Sequence, residues 1–277
     1  LVIMTKWVSP GDAFMEWGWR IPFLSSLLLL GIGHWIRRSV NESPVFEEIK
    51  QRKSASDQPI KTLFTHHKLT VFLAALLCAG TTALGYMTTG GFIQNYTTNP
   101  AGPIALERSN ILLIVTLSAV IWALATWISA TLADHFGRKK VYIFGAILQI
   151  LGAFVVFPLV DSATYMGVAM GVILLSIGIG FTHGINAVLY TELFPASIRF
   201  SGISITYAIG SIIGGAFAPL IAAWLVSSTG STAMVTAYLM MMATFALIAI
   251  CMFKDRSGIP LGPDHEAEQN QSPFIWK

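Results

Sequence analysis

Long apolar runs separated by short polar breaks dominate the chain, and six of them reach membrane-crossing length, at 69–96, 109–132, 141–160, 165–190, 201–226 and 233–253. A hydrocarbon core about 30 Å thick takes roughly 20 apolar residues to cross as a helix, so each run predicts one transmembrane helix. A shorter run over 21–36 opens after Trp17 and Trp19 and closes on Trp35, rings that favour the headgroup level, which predicts a short or tilted crossing. Residues 1–8 read as the end of a further helix. They show no charged n-region or cleavage site, so a signal peptide is not expected and some upstream sequence is.

Composition agrees with that pattern. Hydrophobic residues make up 54%, charged residues 11%, and the mean hydropathy is +0.66, values that exclude an ordinary soluble domain. A nucleic-acid partner is not expected either. The few charges are sided: seven Lys and Arg fall in 37–68, three in 138–140, one at Arg199 and three after 253, while the opposite side holds Lys6, Arg20 and Arg108. Fourteen against three is a positive-inside bias. It predicts a cytoplasmic 37–68 loop, a cytoplasmic 138–140 turn and a cytoplasmic tail over 254–277.

One cytoplasmic turn carries more than charge. "TLADHFGRKKVY", 131–142, places Asp134, Gly137, Arg138 and Lys139 between two apolar runs. A turn this tight between helices needs a residue that tolerates positive φ, which Gly137 supplies, and the cations can hold the last carbonyls of a helix. The order Leu132, Ala133, Asp134, Gly137, Arg138, Lys139 resembles the loop signature G-x-L-a-D-x-x-G-R-[KR] of the major facilitator superfamily, with Ala130 where the first Gly usually stands. "NESPVFEEIK" at 41–50 and "YTELFPASIRFSG" at 190–202 are similar to segments of its metabolite:proton symporter branch. Asn41 replaces a usual Pro there, and Ile185 and Asn186 stand where Pro and Gln are usual. Asp134, Gly137 and Arg138 are then expected to form a conformational motif, Asp134 latching onto a helix N-terminus of the other bundle.

The resemblance implies the C-terminal portion of a carrier: the end of an N-terminal bundle over 1–36, an inter-bundle loop over 37–68, and a six-helix bundle over 69–253 made of two inverted three-helix repeats. In the 37–68 loop, Ser43 can cap a helix whose first turn holds Pro44, Glu47 and Glu48. It further implies a small organic acid or zwitterion as solute, coupling to protons, and an inner-membrane location. Sugar or drug transport by the same superfamily is the second reading. A membrane enzyme would need a catalytic set at membrane depth and a channel a filter segment, and neither pattern is present in the sequence.

Candidate site residues are polar or aromatic positions on the spans that the resemblance places around a central cavity: Tyr86, Trp122, His183, Asn186 and Tyr207. His183 and Asn186 are three apart and share a helix face. His183 is expected to be a hydrogen-bonded structural residue about 10 Å from the cytoplasmic end of its helix. Gln149 falls on a span expected to be peripheral. Gly90 and Gly91 are expected to form a hinge, and Pro219 marks a second break. Three G-x-x-x-G pairs, Gly167/Gly171, Gly180/Gly184 and Gly210/Gly214, predict close helix crossings. No Asp, Glu, Lys or Arg sits in the middle of a span, so any coupling carboxylate is expected in the missing bundle. Cys78 and Cys251 read as small packing residues. His66 and His67 would splay apart on a helix; no metal site and no cofactor is expected.

Overall fold

The computed structural model describes residues 12–39, 58–88 and 91–276. Residues 1–8, the 41–50 segment with Ser43, and Gly90 lie outside the described residues. The chain divides after Arg52 into two compact units.

In the first unit, a π-helical turn over Phe14–Gly18 leads into helix α1, Arg20–Ser39. Its predicted interfacial rings form a local cluster, with Trp19 edge-on to Phe23 at 5.9 Å and the Arg20 guanidinium 4.5 Å above the Trp19 ring. The apolar residues along the helix are exposed within this unit, as a membrane-length segment allows.

The second unit is all helical, with a single antiparallel bridge, Phe253 to Phe274, as its strand-like pairing among the described residues. Helix α2 (Pro59–His66) starts on a proline, whose missing N–H is one a helix start leaves unpaired anyway. Then come α3 (Lys68–Thr88), α4 (Phe92–Thr98), α5 (Arg108–Phe136), α6 (Arg138–Val160), α7 (Tyr165–Leu193), α8 (Arg199–Ser211), α9 (Ala218–Thr229), α10 (Ala233–Met252) and the short α11 (Glu266–Gln269). Seven helical stretches in the two units are long and apolar enough to cross a membrane. The chain is a multi-pass membrane protein.

Two predicted spans are interrupted. The 69–96 span is two helices, because Gly91 has φ +94° before α4 begins. The 201–226 span holds α8, a π-helical turn over Ile212–Ala216 and α9, whose first turn carries Pro219. Proline lacks the N–H that would continue the ladder, and the added residue of a π turn shifts the register ahead of it.

Neighbour relations repeat within the bundle. Helix α5 packs on α7 as α8 packs on α3; α6 packs on α7 as α10 packs on α3; α6 and α10 also meet each other. Exchanging the first three crossings (α3–α4, α5, α6) for the second three (α7, α8–α9, α10) preserves this pattern. Three crossings are an odd number, so the second repeat necessarily enters the membrane from the opposite side.

Small residues make these contacts possible. A Cβ built on Gly180 would lie 2.6 Å from Ala125 Cβ on α5, and one on Gly214 2.1 Å from the Ala79 carbonyl oxygen on α3. On Gly171 it would stand 3.0 Å from the Val156 carbonyl oxygen on α6. All three glycine pairs are therefore crossings, in which dispersion contacts replace a hydrophobic drive that lipid does not supply.

Two apolar cores fill the bundle. One gathers Leu63, Tyr142, Tyr190, Phe194 and Phe253, the other Ile93, Ile111, Phe157, Leu175 and Leu239. Thr81, Gln149 and Thr182 are buried polar residues of the packed interior. The rows Leu117, Val120, Leu124, Trp127 on α5 and Ile147, Leu151, Phe154 on α6 face outward, where acyl chains are the natural solvent.

Candidate functional site

Five residues of α3 at helical spacing, Cys78, Thr81, Thr82, Gly85 and Tyr86, form one wall of a pocket of about 90 Å³. Trp122 of α5, His183 and Asn186 of α7 and Tyr207 of α8 complete it. The five candidates chosen from the sequence, Tyr86, Trp122, His183, Asn186 and Tyr207, all line this cavity. The sequence reading omitted Cys78, Thr81, Thr82 and Gly85. Their i, i+3, i+4, i+7, i+8 spacing was a usable signal, since it puts small polar residues on one stripe of an otherwise apolar helix.

Glycines set the ring positions. A Cβ on Gly85 would lie 3.2 Å from Trp122 Cη2, and one on Gly215 2.9 Å from Tyr86 Cε2, so each indole or phenol edge rests on bare backbone. The Trp122 ring meets His183 edge-on at 5.7 Å, and Tyr207 meets the fully buried Tyr190 at 5.1 Å. His183 makes no hydrogen bond among the described residues, so the structural role expected for it rests on its ring contact with Trp122. It also lies nearer the middle of its helix than expected, about 15 Å from the end by helical rise, because α7 runs on to Leu193.

Behind the α3 wall, Gln149 Nε2 donates to Thr182 Oγ1 at 2.6 Å, and Thr81 Oγ1 lies 3.4 Å from the same oxygen. Gln149, on the span expected to be peripheral, is thus fully buried and tied to the back of the pocket. Two amide oxygens are left without partners among the described residues, Gln149 Oε1 and the pocket residue Asn186 Oδ1. A buried acceptor with no donor is costly, so Asn186 presents unmet hydrogen-bonding capacity to whatever enters. Cys78 is buried beside the cavity, its Sγ 3.9 Å from the Tyr207 carbonyl, whereas Cys251 is exposed and not a packing residue within this unit. No lining residue is Asp, Glu, Lys or Arg. Aromatic faces, hydroxyls, one amide and one imidazole suit reversible binding of a small polar molecule.

Charge collects at one end of the bundle. Gly137 adopts φ +94° between α5 and α6, the conformation expected there. Arg138 pairs with Glu192 at the end of α7, a carboxylate 4% exposed. Lys139 Nζ donates to the Phe253 carbonyl and, at 3.2 Å, to that of Cys251, so this cation closes α10. Burial raises the Asp255 pKa, but hydrogen bonds from the Ser257 side chain and backbone, with the Lys139 and Arg138 charges, hold it below the ordinary value. Asp134 is exposed and without a partner among the described residues. Glu192 was missed because hydropathy falls at residue 190, one turn before the helix stops.

The tail over 254–276 docks on the same end. Gln269 Oε1 accepts from Ala196 N at 2.8 Å and Arg199 Nη2 at 3.1 Å, while its Nε2 donates to the carbonyls of Pro260 and Gly262. Arg199 Nε also holds the Thr191 and Phe194 carbonyls at the end of α7. At the opposite end, Asp161 accepts from Tyr96 and Thr232, and Tyr165 from the Glu107 amide.

A sequence profile described as Major Facilitator Superfamily matches residues 11–212 and 92–277. The chain is 34% identical over 253 residues to the inner membrane metabolite transport protein YhjE of Escherichia coli K12, covering 90% of this chain and 57% of that protein. It is 31% identical over 262 residues to the shikimate transporter of the same organism, covering 92% and 58%. With the citrate-proton symporter of Klebsiella pneumoniae the identity is 28% over 251 residues, covering 90% and 55%. The chain spans a little over half the length of these relatives.

Proposed function

Because the chain belongs to the Major Facilitator Superfamily, within its metabolite/proton symporter family, we propose that it forms the C-terminal half of a secondary carrier for a small organic acid or zwitterion, driven by proton symport. Family membership argues against a membrane enzyme. The observation that carries the reading is the pocket itself: four different helices bring Tyr86, Trp122, His183, Asn186 and Tyr207 around one cavity. A solute of this class needs counter-charges that the lining lacks, so they come from a preceding bundle that completes the cavity. The coupling carboxylate belongs to that bundle too, since carboxylates at membrane depth are functional by default and the described spans of the second unit keep their acidic residues at the ends.

Alternating access then consists of one bundle rocking against the other. Asp134, without a partner among the described residues, is the latch: in one state it faces a helix N-terminus of the first bundle. Gly91 and the π turn before Pro219 are hinge positions. Vesicles carrying the full-length parent are expected to accumulate a carboxylate or betaine-like solute under an inward proton gradient, and a protonophore abolishes this. Asp134→Asn is expected to slow that uptake at normal expression. Gradient-independent uptake, or wild-type rates in Asp134→Asn, would sink the coupling and the latch respectively.

We also assign the end bearing Arg138, Lys139, Arg199 and the docked tail to the cytoplasm of an inner membrane, supported by the positive-inside bias. In a background with Cys78 and Cys251 replaced by Ser, an impermeant thiol reagent added to intact cells should label Ser231→Cys and spare His135→Cys. The reverse pattern inverts the topology.

A further inference from the structure

Between the docked tail and the α2–α3 junction lies a second cavity, of about 190 Å³, distinct from the pocket above and lined by His66, His67, Thr70, Arg256, Gln269 and Ser272 among others. Arg256 is 6% exposed. Its Nη2 donates to the carbonyls of Glu268 at 3.1 Å and Gln269 at 2.7 Å. Its Nε and Nη1 have no hydrogen-bond acceptor among the described residues. An arginine cannot shed its charge, and a buried cation without a counter-ion is strongly unfavourable.

The neighbouring carboxylates are turned elsewhere. Asp255 is engaged by Ser257 and by the Lys139 and Arg138 charges, and Glu268 pairs with His265 at 3.5 Å. No residue lining the cavity is acidic. Two imidazoles, His66 and His67, line the cavity with the guanidinium instead; burial, then the charges of His66 and Arg256, hold His67 below its ordinary pKa. The cavity also meets the first turn of α3, whose free N–H groups and positive dipole end favour an anion, and Thr70 stands in that turn. Donors thus arrive from three elements, α2, α3 and the tail, which suits a tetrahedral oxyanion better than a planar carboxylate.

We propose that this cavity binds a phosphate-type oxyanion, presented by an anionic phospholipid headgroup or as free phosphate. Ile60 and Phe64, exposed on α2 nearby, give a headgroup's acyl chains an apolar surface.

The test uses the purified 277-residue chain and needs no transport. Its unfolding midpoint is measured in neutral detergent with inorganic phosphate or with chloride at matched ionic strength, and in nanodiscs with or without phosphatidylglycerol. A rise of several degrees with phosphate over chloride supports a free-phosphate site; a rise with phosphatidylglycerol alone supports a headgroup site. Arg256→Gln is expected to abolish either rise. Since that variant also loosens the tail, His67→Asn serves as the second: it should keep the ligand-free midpoint and bind the stabilising species about tenfold more weakly. If neither species shifts the wild-type midpoint beyond chloride, or both variants respond as wild type does, the site does not exist.

Discussion

Gly184→Val will prevent the α5–α7 crossing from closing, and after solubilisation in mild detergent the variant will elute as aggregate instead of a monodisperse peak. A Cβ at residue 184 would stand 2.2 Å from Ser129 Oγ and 2.3 Å from the Thr126 carbonyl oxygen. The hydroxyl can rotate away, but the carbonyl is fixed in its helix, so the two backbones must separate. Overpacking a closed core costs about 1–3 kcal/mol, the loss expected for Gly184→Ala, and valine adds two methyl groups at the same contact. Separation would also carry Trp122, one turn from Thr126, away from His183 and open the pocket. Gly262→Ala, where a Cβ meets nothing within 4 Å, is the matched control and should leave the midpoint unchanged. A monodisperse Gly184→Val protein with the wild-type midpoint would show that the bundle does not depend on this approach.

In the full-length parent, Asn186→Ala is expected to raise the apparent Michaelis constant for solute about tenfold, the equivalent of about 1.4 kcal/mol, within the range of one hydrogen bond. Thermal stability in detergent should hold, because Asn186 Oδ1 has no protein donor among the described residues and its removal breaks no bond through that atom. His183→Ala should behave oppositely. It removes an edge-to-face contact with Trp122 worth about 0.5–1.5 kcal/mol, lowering the midpoint while leaving affinity and pH profile in place. Should Asn186→Ala lower the midpoint with an unchanged Michaelis constant, the amide holds helices together and the solute is bound elsewhere.

Hydropathy located every span because a bilayer imposes one length on all of them, and the glycine spacings marked the crossings because only a missing Cβ permits such approach. The aromatic and polar candidates were legible for a similar reason: a polar group in a span must face protein or a cavity. Other features depend on chain segments far apart in sequence. Glu192 gains its meaning from Arg138, 54 positions earlier, and Gln149 from Thr182 on the next helix. Lys139 closes α10 instead of the helix beside it, and the tail becomes a docked strap through Gln269. The sequence by itself determined the membrane class, the span count, the family and the five residues worth watching, since each follows from local hydropathy, spacing or motif order. Only the tertiary structure decided which helices cross at which glycines, that those five residues share one cavity, and that Asn186 and Arg256 are left with unmet bonding, because burial and partnership are properties of residues brought together by packing.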